Sequence, residues 1–263
     1  MDCMEGMKEF PDGFFDLAIV DPPYGMNITG RHVVKDADGG ALSTGSPDRS
    51  AAIRVRGGGD YPFGGVRKLR QGTAPDLAGG GYADESAGRA LKVPSKFYHA
   101  FDDTQPPDEG YFEELQRVSK NRVIWGMNFL NDFLGTASCV IVWDKGRRGM
   151  SQADCELAWT DLPGQSRIVE FRWNGMLQGD MKNKEERIHP TQKPVKLYDW
   201  ILEHYAKPGF KILDTHVGSA SSLIACRRAG LEYWGFEIDT DYYAKAKARL
   251  DRECAQVNFT DLI

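Results

Sequence analysis

The chain has 263 residues, 41% hydrophobic and 27% charged, with a formal net charge of -5 at pH 7, which suits one large domain or two modest ones around an ordinary buried core. No apolar run approaches the roughly 18 residues of a membrane span, and Met1 is followed by Asp2, Glu5 and Lys8 instead of a basic and then apolar leader, so neither a membrane segment nor a secretory signal is expected. Five scattered cysteines without a CxxC pair point to a reducing cytoplasm and no structural metal, and the overall acidity, taken alone, speaks against a nucleic-acid partner.

In chain order, Phe15 to Val20 (FDLAIV) is a compact apolar run that suits a buried strand. Asp21, Pro22, Pro23, Tyr24 and Gly25 follow directly. Two successive prolines fix φ and hold Asp21 and Pro22 extended, so the Asp21 carboxylate and the Pro22 carbonyl project from a stiff strand end, with an aromatic ring two residues on. An amino group on a flipped nucleobase requires that combination, two acceptors for its hydrogens and a flat face to stack on. The plainer reading of the tetrapeptide is a rigid turn after a core strand.

Residues 26 to 90 hold 14 of the 29 glycines. Such a stretch buries too little apolar surface to offset its ordering entropy, and it reads as a mobile insertion spanning about residues 26 to 95. Charge is sorted within this part of the chain: residues 26 to 75 sum to +4 and residues 76 to 115 to -6. The net charge therefore averages two unlike segments and does not by itself exclude a nucleic acid.

The remaining segments have the rhythm of an α/β protein. Tyr111 to Leu115, continuing through Val118, suits an amphipathic helix, and Arg122 to Trp125 (RVIW) the strand after it. Ser138 to Trp143 suits another strand, and Arg167 to Trp173 alternates as a strand in a hairpin or at an edge. After Pro194 a helix carries Leu197, Trp200, Ile201 and Tyr205 on one face. Phe210 to Asp214 reads as a strand, Val217 to Ser219 as a glycine turn, Ala220 to Ala229 as a helix ended by Gly230, and Tyr233 to Ile238 as a second strand. In this βαβ unit Glu237 stands 19 residues beyond Gly218, where a Rossmann-type site holds ribose hydroxyls, although the turn is not GxGxxG. A nucleoside-bearing cofactor and a purely structural crossover both fit the unit.

His189 to Pro194 (HPTQKP) precedes the helix that leads into this unit. Asp21 to Gly25 (DPPYG), HPTQKP, Ile212 to Ser222 (ILDTHVGSASS) and Gly235 to Asp239 (GFEID), in that order, resemble the β class of S-adenosylmethionine-dependent DNA amino-methyltransferases. The resemblance covers about residues 1 to 25 and 100 to 255, with weaker matches at Tyr111 to Asn128 and Val142 to Trp159. It implies an α/β, Rossmann-like methyltransferase fold: one mixed seven-stranded sheet with helices on both faces, circularly permuted so that the catalytic half precedes the cofactor half. It implies further that residues 1 to 263 form a single catalytic domain carrying the insertion.

By the same resemblance, Asp21 and Pro22 accept hydrogen bonds from the target amine while Pro23 stiffens the turn and Tyr24 stacks on the base. The cofactor S-adenosylmethionine would lie on Asp214, Gly218 and Ser219, with Glu237 on its ribose and Asp2 near its adenine. Thr191 and Lys193 would close over its methionine end. No metal and no covalent enzyme intermediate are implied. Asp ahead of Pro-Pro-Tyr goes in this family mostly with adenine N6 and Ser with cytosine N4, so adenine is expected; cytosine-N4 transfer, an RNA or protein amine, and a decayed binding module are the alternatives. Here the usual cofactor motif DPFxGSGT reads Asp214 to Ser221 (DTHVGSAS), and His216 is given no catalytic role. The strand the family carries ahead of Asp2 has almost no counterpart, and the stretch at about 160 to 188 that would recognise the target is short. Arg54, Arg56 and Arg67 in the insertion, with Lys145, Arg147 and Arg148, are the candidate DNA contacts. A homodimer is common in the family, no nuclease segment is visible, and a cytoplasmic enzyme of bacterial or phage origin is the expected setting.

Overall fold

A computed structural model describes residues 1–26, 103–146, 148, 153–174 and 177–260. Arg54, Arg56, Arg67, Arg147 and nearly all of the glycine-rich insertion lie outside the described residues. The elements run α1 (Cys3–Met7), β1 (Leu17–Val20), α2 (Glu109–Val118), β2 (Arg122–Trp125), β3 (Cys139–Asp144), β4 (Cys155–Thr160), β5 (Arg167–Glu170), β6 (Trp173–Asn174), β7 (Leu177–Gln178), α3 (Val195–Tyr205), β8 (Lys211–Asp214), α4 (Ser221–Arg228), β9 (Glu232–Gly235) and α5 (Thr240–Thr260).

Seven strands form one sheet in the order β5-β3-β4-β2-β1-β8-β9, and β6 and β7 form a separate hairpin. β4 pairs antiparallel with both β2 and β3, whereas β1 with β2, β1 with β8, β3 with β5 and β8 with β9 are parallel. β4 alone therefore runs against the rest, giving the mixed seven-stranded sheet that the resemblance implied. Every residue of β1 is buried, as a strand covered on both faces must be. Leu17 and Ile19 enter one core, with Leu197, Ile201 and Ile224 from α3 and α4. Ala18 and Val20 enter the other, with Met7 from α1 and Tyr111 and Leu115 from α2. This alternation puts helices on both faces.

Helix starts follow side-chain capping. The Asp108 carboxylate accepts from Tyr111 N at 3.1 Å to open α2, and Asp239 accepts from Asp241 N and Tyr242 N to open α5. Pro194 cannot cap α3 with its side chain, and a carboxylate from elsewhere, Glu185, accepts from Val195 N instead. The structure departs from the sequence reading at four places. The run Arg167 to Trp173 is both an edge strand and part of a hairpin, broken at Phe171 and Arg172. β4 was not foreseen as a strand, and neither α1 nor α5 was foreseen as a helix.

The chain leaves β1 toward β2 on one side and returns through β8 on the other. The strand order thus reverses between β1 and β8, and a crevice opens at their carboxyl ends, where α/β sheets bind ligands. Ile19, 1% exposed at the centre of the sheet, tests how strongly that centre holds the crevice together. Ile19→Ala should lower the free energy of unfolding in urea by about 2–5 kcal/mol, since the core that packs on its side chain collapses only partly into the space.

Candidate active site

A cleft of about 970 Å³ opens at this reversal, and its lining includes Asp2, Asp21, Tyr24, Lys193, Gly218 and Glu237. Asp21 leaves the end of β1, and its oxygens are already engaged. The Tyr24 hydroxyl donates to Oδ1 and the Lys193 ammonium to Oδ2. Pro22 is buried beside them, and its carbonyl accepts no hydrogen bond from any described residue. Lys193 also lies 3.3 Å from Glu156 Oε2, and Lys145 donates to Glu156 Oε1. Burial opposes the charge on Lys193, but Asp21 and Glu156 outweigh it and hold its pKa above the ordinary range. Burial likewise opposes charge on Glu156, and the two ammonium groups outweigh it to keep that carboxyl low.

The Tyr24 ring has a fixed seat. Gly126 directly after β2 has φ +80°, and a Cβ there would come within 2.1 Å of Tyr24 Cε1, so only glycine fits. Tyr24 also stacks on Phe129, with ring centroids 5.1 Å apart and planes 17° apart. Burial, with Asp21 and Glu156 close by, raises the Tyr24 hydroxyl well above its ordinary pKa, so it stays a donor.

At the other end of the cleft, Asp214 closes β8. Its carboxylate accepts from His216 N at 2.9 Å and from the Ser222 hydroxyl. Burial pushes its pKa up to about 7, and the neighbouring Asp21 and Glu237 carboxylates add to the shift. Gly218, at φ +52°, donates its N–H to Glu237 Oε2 at 2.8 Å, which ties the glycine turn to the end of β9. Asp2 caps α1 by accepting from Met4 N at 2.7 Å. No lysine or arginine pairs with Asp2, Asp214 or Glu237 among the described residues. His189 and His216 are both pushed down to about 4, by burial first, so both are neutral at pH 7. The Thr191 hydroxyl lies 3.0 Å from His189 Nδ1, and Thr215 bridges the Tyr111 hydroxyl at 2.7 Å and His216 Nδ1 at 2.9 Å.

Ser219 is held from behind. Arg249 on α5 donates to its carbonyl at 2.8 Å and to Ser221 Oγ at 2.9 Å. The same guanidinium reaches Glu185 at 2.8 Å, the carboxylate that caps α3. One buried arginine thus joins the glycine turn to the HPTQKP helix.

The structure therefore gathers Asp2, Asp21, Pro22, Pro23, Tyr24, Thr191, Lys193, Gly218, Ser219 and Glu237 around one cleft, whereas Asp214 is buried outside the lining and meets it through the N–H of the lining residue His216. Lys193 sits on Asp21 and Glu156. Lys145, only 8% exposed, faces the site instead of the surface, while the Arg148 side chain is 72% exposed and pairs with Asp144. Glu156, Tyr111, Phe129 and Arg249 were not singled out from the sequence. Chemically, one end offers two acceptors beside an aromatic face. The other offers the Asp2 and Glu237 carboxylates to a cationic, hydroxyl-bearing ligand, with the Asp214 carboxyl buried behind His216. Among the described residues, no cluster of His, Cys, Asp or Glu could hold a metal ion, and no helix is long and apolar enough to cross a membrane.

Residues 113–248 match the family model N6_N4_Mtase, described as DNA methylase. A stretch of 71 residues is 37% identical to the Type II methyltransferase M.HpaI of Haemophilus parainfluenzae, covering 27% of this chain and 23% of that protein. A stretch of 81 residues is 35% identical to the Type II methyltransferase M2.DpnII of Streptococcus pneumoniae, covering 31% of this chain and 30% of the relative. The chain thus spans less than a third of the length of either curated relative. The cytosine-N4-specific PvuII DNA methyltransferase superposes with a TM-score of 0.49 at 11% identity, over 98% of this chain and 89% of its own.

Asp214 makes a linkage prediction that needs no ligand. Its folded pKa of about 7 lies above the 3.8 of a free aspartate, so the folded state holds a proton that the unfolded state has lost between those values. Its contribution is fully present below the unfolded pKa and is lost as pH rises through about 7, with a slope of roughly 1.4 kcal/mol per pH unit. Urea unfolding from pH 4 to 9 should show wild type losing stability relative to Asp214→Asn up to that pH and running parallel to it above.

Proposed function

The chain belongs to the DNA methylase family of N6 and N4 amino-methyltransferases, and from that premise we propose that it methylates the exocyclic amine of a base in DNA, adenine N6, with S-adenosylmethionine as donor. The observation that carries the reading is the end of β1. There a carboxylate and a proline carbonyl lie beside a seated tyrosine ring, in the same cleft as the Asp2 and Glu237 carboxylates, which have no lysine or arginine partner among the described residues, with the buried Asp214 carboxyl bonded to the lining residue His216. S-adenosylmethionine supplies a methyl carbon on a cationic sulfur, which keeps the electron pair when the S–CH3 bond breaks. Asp214, Glu237 and Asp2 fit that donor: Asp214 is a buried carboxyl poised to ionise beside a cation, and Glu237 stands where ribose hydroxyls are held in Rossmann-type sites.

The protein's part is positioning. A base amine conjugated with its ring is a poor nucleophile because its lone pair is delocalised. Hydrogen bonds from both N–H groups, to Asp21 and to the Pro22 carbonyl, favour a more pyramidal nitrogen whose lone pair can aim along one line. Tyr24 holds the plane of the flipped base by stacking. Once methylated, the nitrogen gives up a proton to Asp21 or water. Adenine is preferred over cytosine because Asp21 stands ahead of Pro-Pro-Tyr. We place target recognition in the stretch at about 160 to 188, with the exposed Arg148 as a phosphate contact.

Mass analysis of nucleosides from DNA incubated with the protein and S-adenosylmethionine tests the base directly. N6-methyladenine is expected, and N4-methylcytosine would move the assignment to the second member of the family's chemistry. Asp21→Ala should bind S-adenosylmethionine within about threefold of wild type but lose methyl transfer by at least about a hundredfold; wild-type turnover in that variant would sink the assignment. Gly126→Ala should also keep donor binding and lose transfer, because its Cβ evicts the Tyr24 ring. The readout is the same split between donor affinity by calorimetry and product formed.

A further inference from the structure

His216, which stands at the phenylalanine position of the usual cofactor motif, takes no part in the methyl transfer described above. Its ring nevertheless lines the cleft, and two other side chains hold it. The Tyr111 hydroxyl lies 2.7 Å from Thr215 Oγ1, which lies 2.9 Å from His216 Nδ1. The Tyr111 ring also meets the imidazole edge-on, with centroids 5.4 Å apart and planes 68° apart. Tyr111 and Thr215 are buried, and neither hydroxyl has another partner among the described residues.

Counting hydrogens sets the direction of this chain, because a buried hydroxyl that donates to nothing costs free energy and each hydroxyl has one hydrogen to place. If Nδ1 carried the proton and donated to Thr215, either the Tyr111 or the Thr215 hydrogen would be left over. Every hydrogen finds an acceptor in one arrangement alone, with Tyr111 donating to Thr215 and Thr215 to Nδ1. Burial keeps the imidazole neutral at pH 7, so its single N–H is then on Nε2. Nε2 has no partner among the described residues, and its ring borders the cleft.

Asp2 acts on His216 through space, and the N-terminal ammonium next to Asp2 donates to the Glu237 carbonyl at 2.8 Å. His216 thus belongs to the Asp2 and Glu237 end, assigned above to the nucleoside. A neutral N–H suits the uncharged acceptors of a nucleoside, whereas a carboxylate is met most strongly by a charged donor. We propose that Tyr111 and Thr215 lock His216 as an Nε2–H donor to an uncharged acceptor on the nucleoside half of S-adenosylmethionine. This assignment rests on the methyltransferase reading and adds a binding residue to it, with Tyr111 and Thr215 as positioning residues that act through the imidazole.

Nitrogen-proton correlation spectra of the isotopically labelled full-length protein report the tautomer, and the His216 signals are those missing from His216→Phe. Wild type should show the proton on Nε2, Thr215→Ser should keep it there, and Thr215→Val should lose the preference. Calorimetry with S-adenosylmethionine and with 5′-methylthioadenosine, which lacks the amino-acid half, reads the contact itself. His216→Phe and Thr215→Val should each weaken both ligands at least about threefold, with Thr215→Ser within about twofold of wild type. A packing role alone would lower stability and move neither readout. A proton on Nδ1 in wild type, or a loss below about threefold for both ligands in His216→Phe, overturns the inference. So does a loss confined to S-adenosylmethionine, since the partner of Nε2 would then lie in the amino-acid half. Wild type that binds neither ligand overturns the methyltransferase reading as well, and the other adverse results leave that reading standing.

Discussion

The site depends on one ion pair, Lys193 with Asp21, between residues 172 positions apart in the chain. Lys193 enters from the loop before α3 and Asp21 from the end of β1, so the pair clamps the two halves of the permuted sheet at the reversal between β1 and β8. A lysine that is 5% exposed costs several kcal/mol of desolvation unless its charge is met, and two carboxylates meet it. Tyr24 then has its hydroxyl fixed by Asp21 and its ring by Gly126 and Phe129. Stiff prolines, a glycine with positive φ and a buried cation leave little freedom to the groups that would hold an amine, which is the preorganisation that a positioning mechanism demands.

The cofactor end is built by different means. Among the described residues no lysine supports Asp214 or Glu237 there. Backbone N–H groups do, from His216, Gly218 and Asp239, and Arg249 secures the turn from behind through Ser219 and Ser221. Because Arg249 also meets Glu185, which caps α3, the glycine turn and the helix that follows Lys193 share one anchor.

Much of this was legible in the residues, and what was not has identifiable causes. The strand-proline-proline turn, the helix after Pro194 and the βαβ unit are local patterns, and local patterns survive in a sequence. Glu156 was invisible because β4 lacks the alternation that marks a half-buried strand: CELAWT passes from an exposed end to three buried residues in succession. The partner of Lys193 could be expected only by analogy, at the methionine end, since spacing along the chain carries no information about a contact closed by the sheet. Lys145 reads as a candidate DNA contact because it opens a short basic run, yet the turn after β3 aims it inward onto Glu156. Arg167 to Trp173 looked like one strand because its alternation runs through Phe171 and Arg172, where the pairing changes partner.

Charge itself changes meaning between the sequence and the site. The total of -5 counted against a polyanionic partner, but a cleft responds to the charges that face it and to their burial. At the Asp21 end two carboxylates and two ammonium groups alternate in sign, each touching the next. At the Asp214 end the carboxylates stand without a lysine or arginine among the described residues, and both nearby histidines are held neutral by burial. That contrast between the two ends arises from where the groups lie and not from their number, so no composition of the whole chain could have shown it.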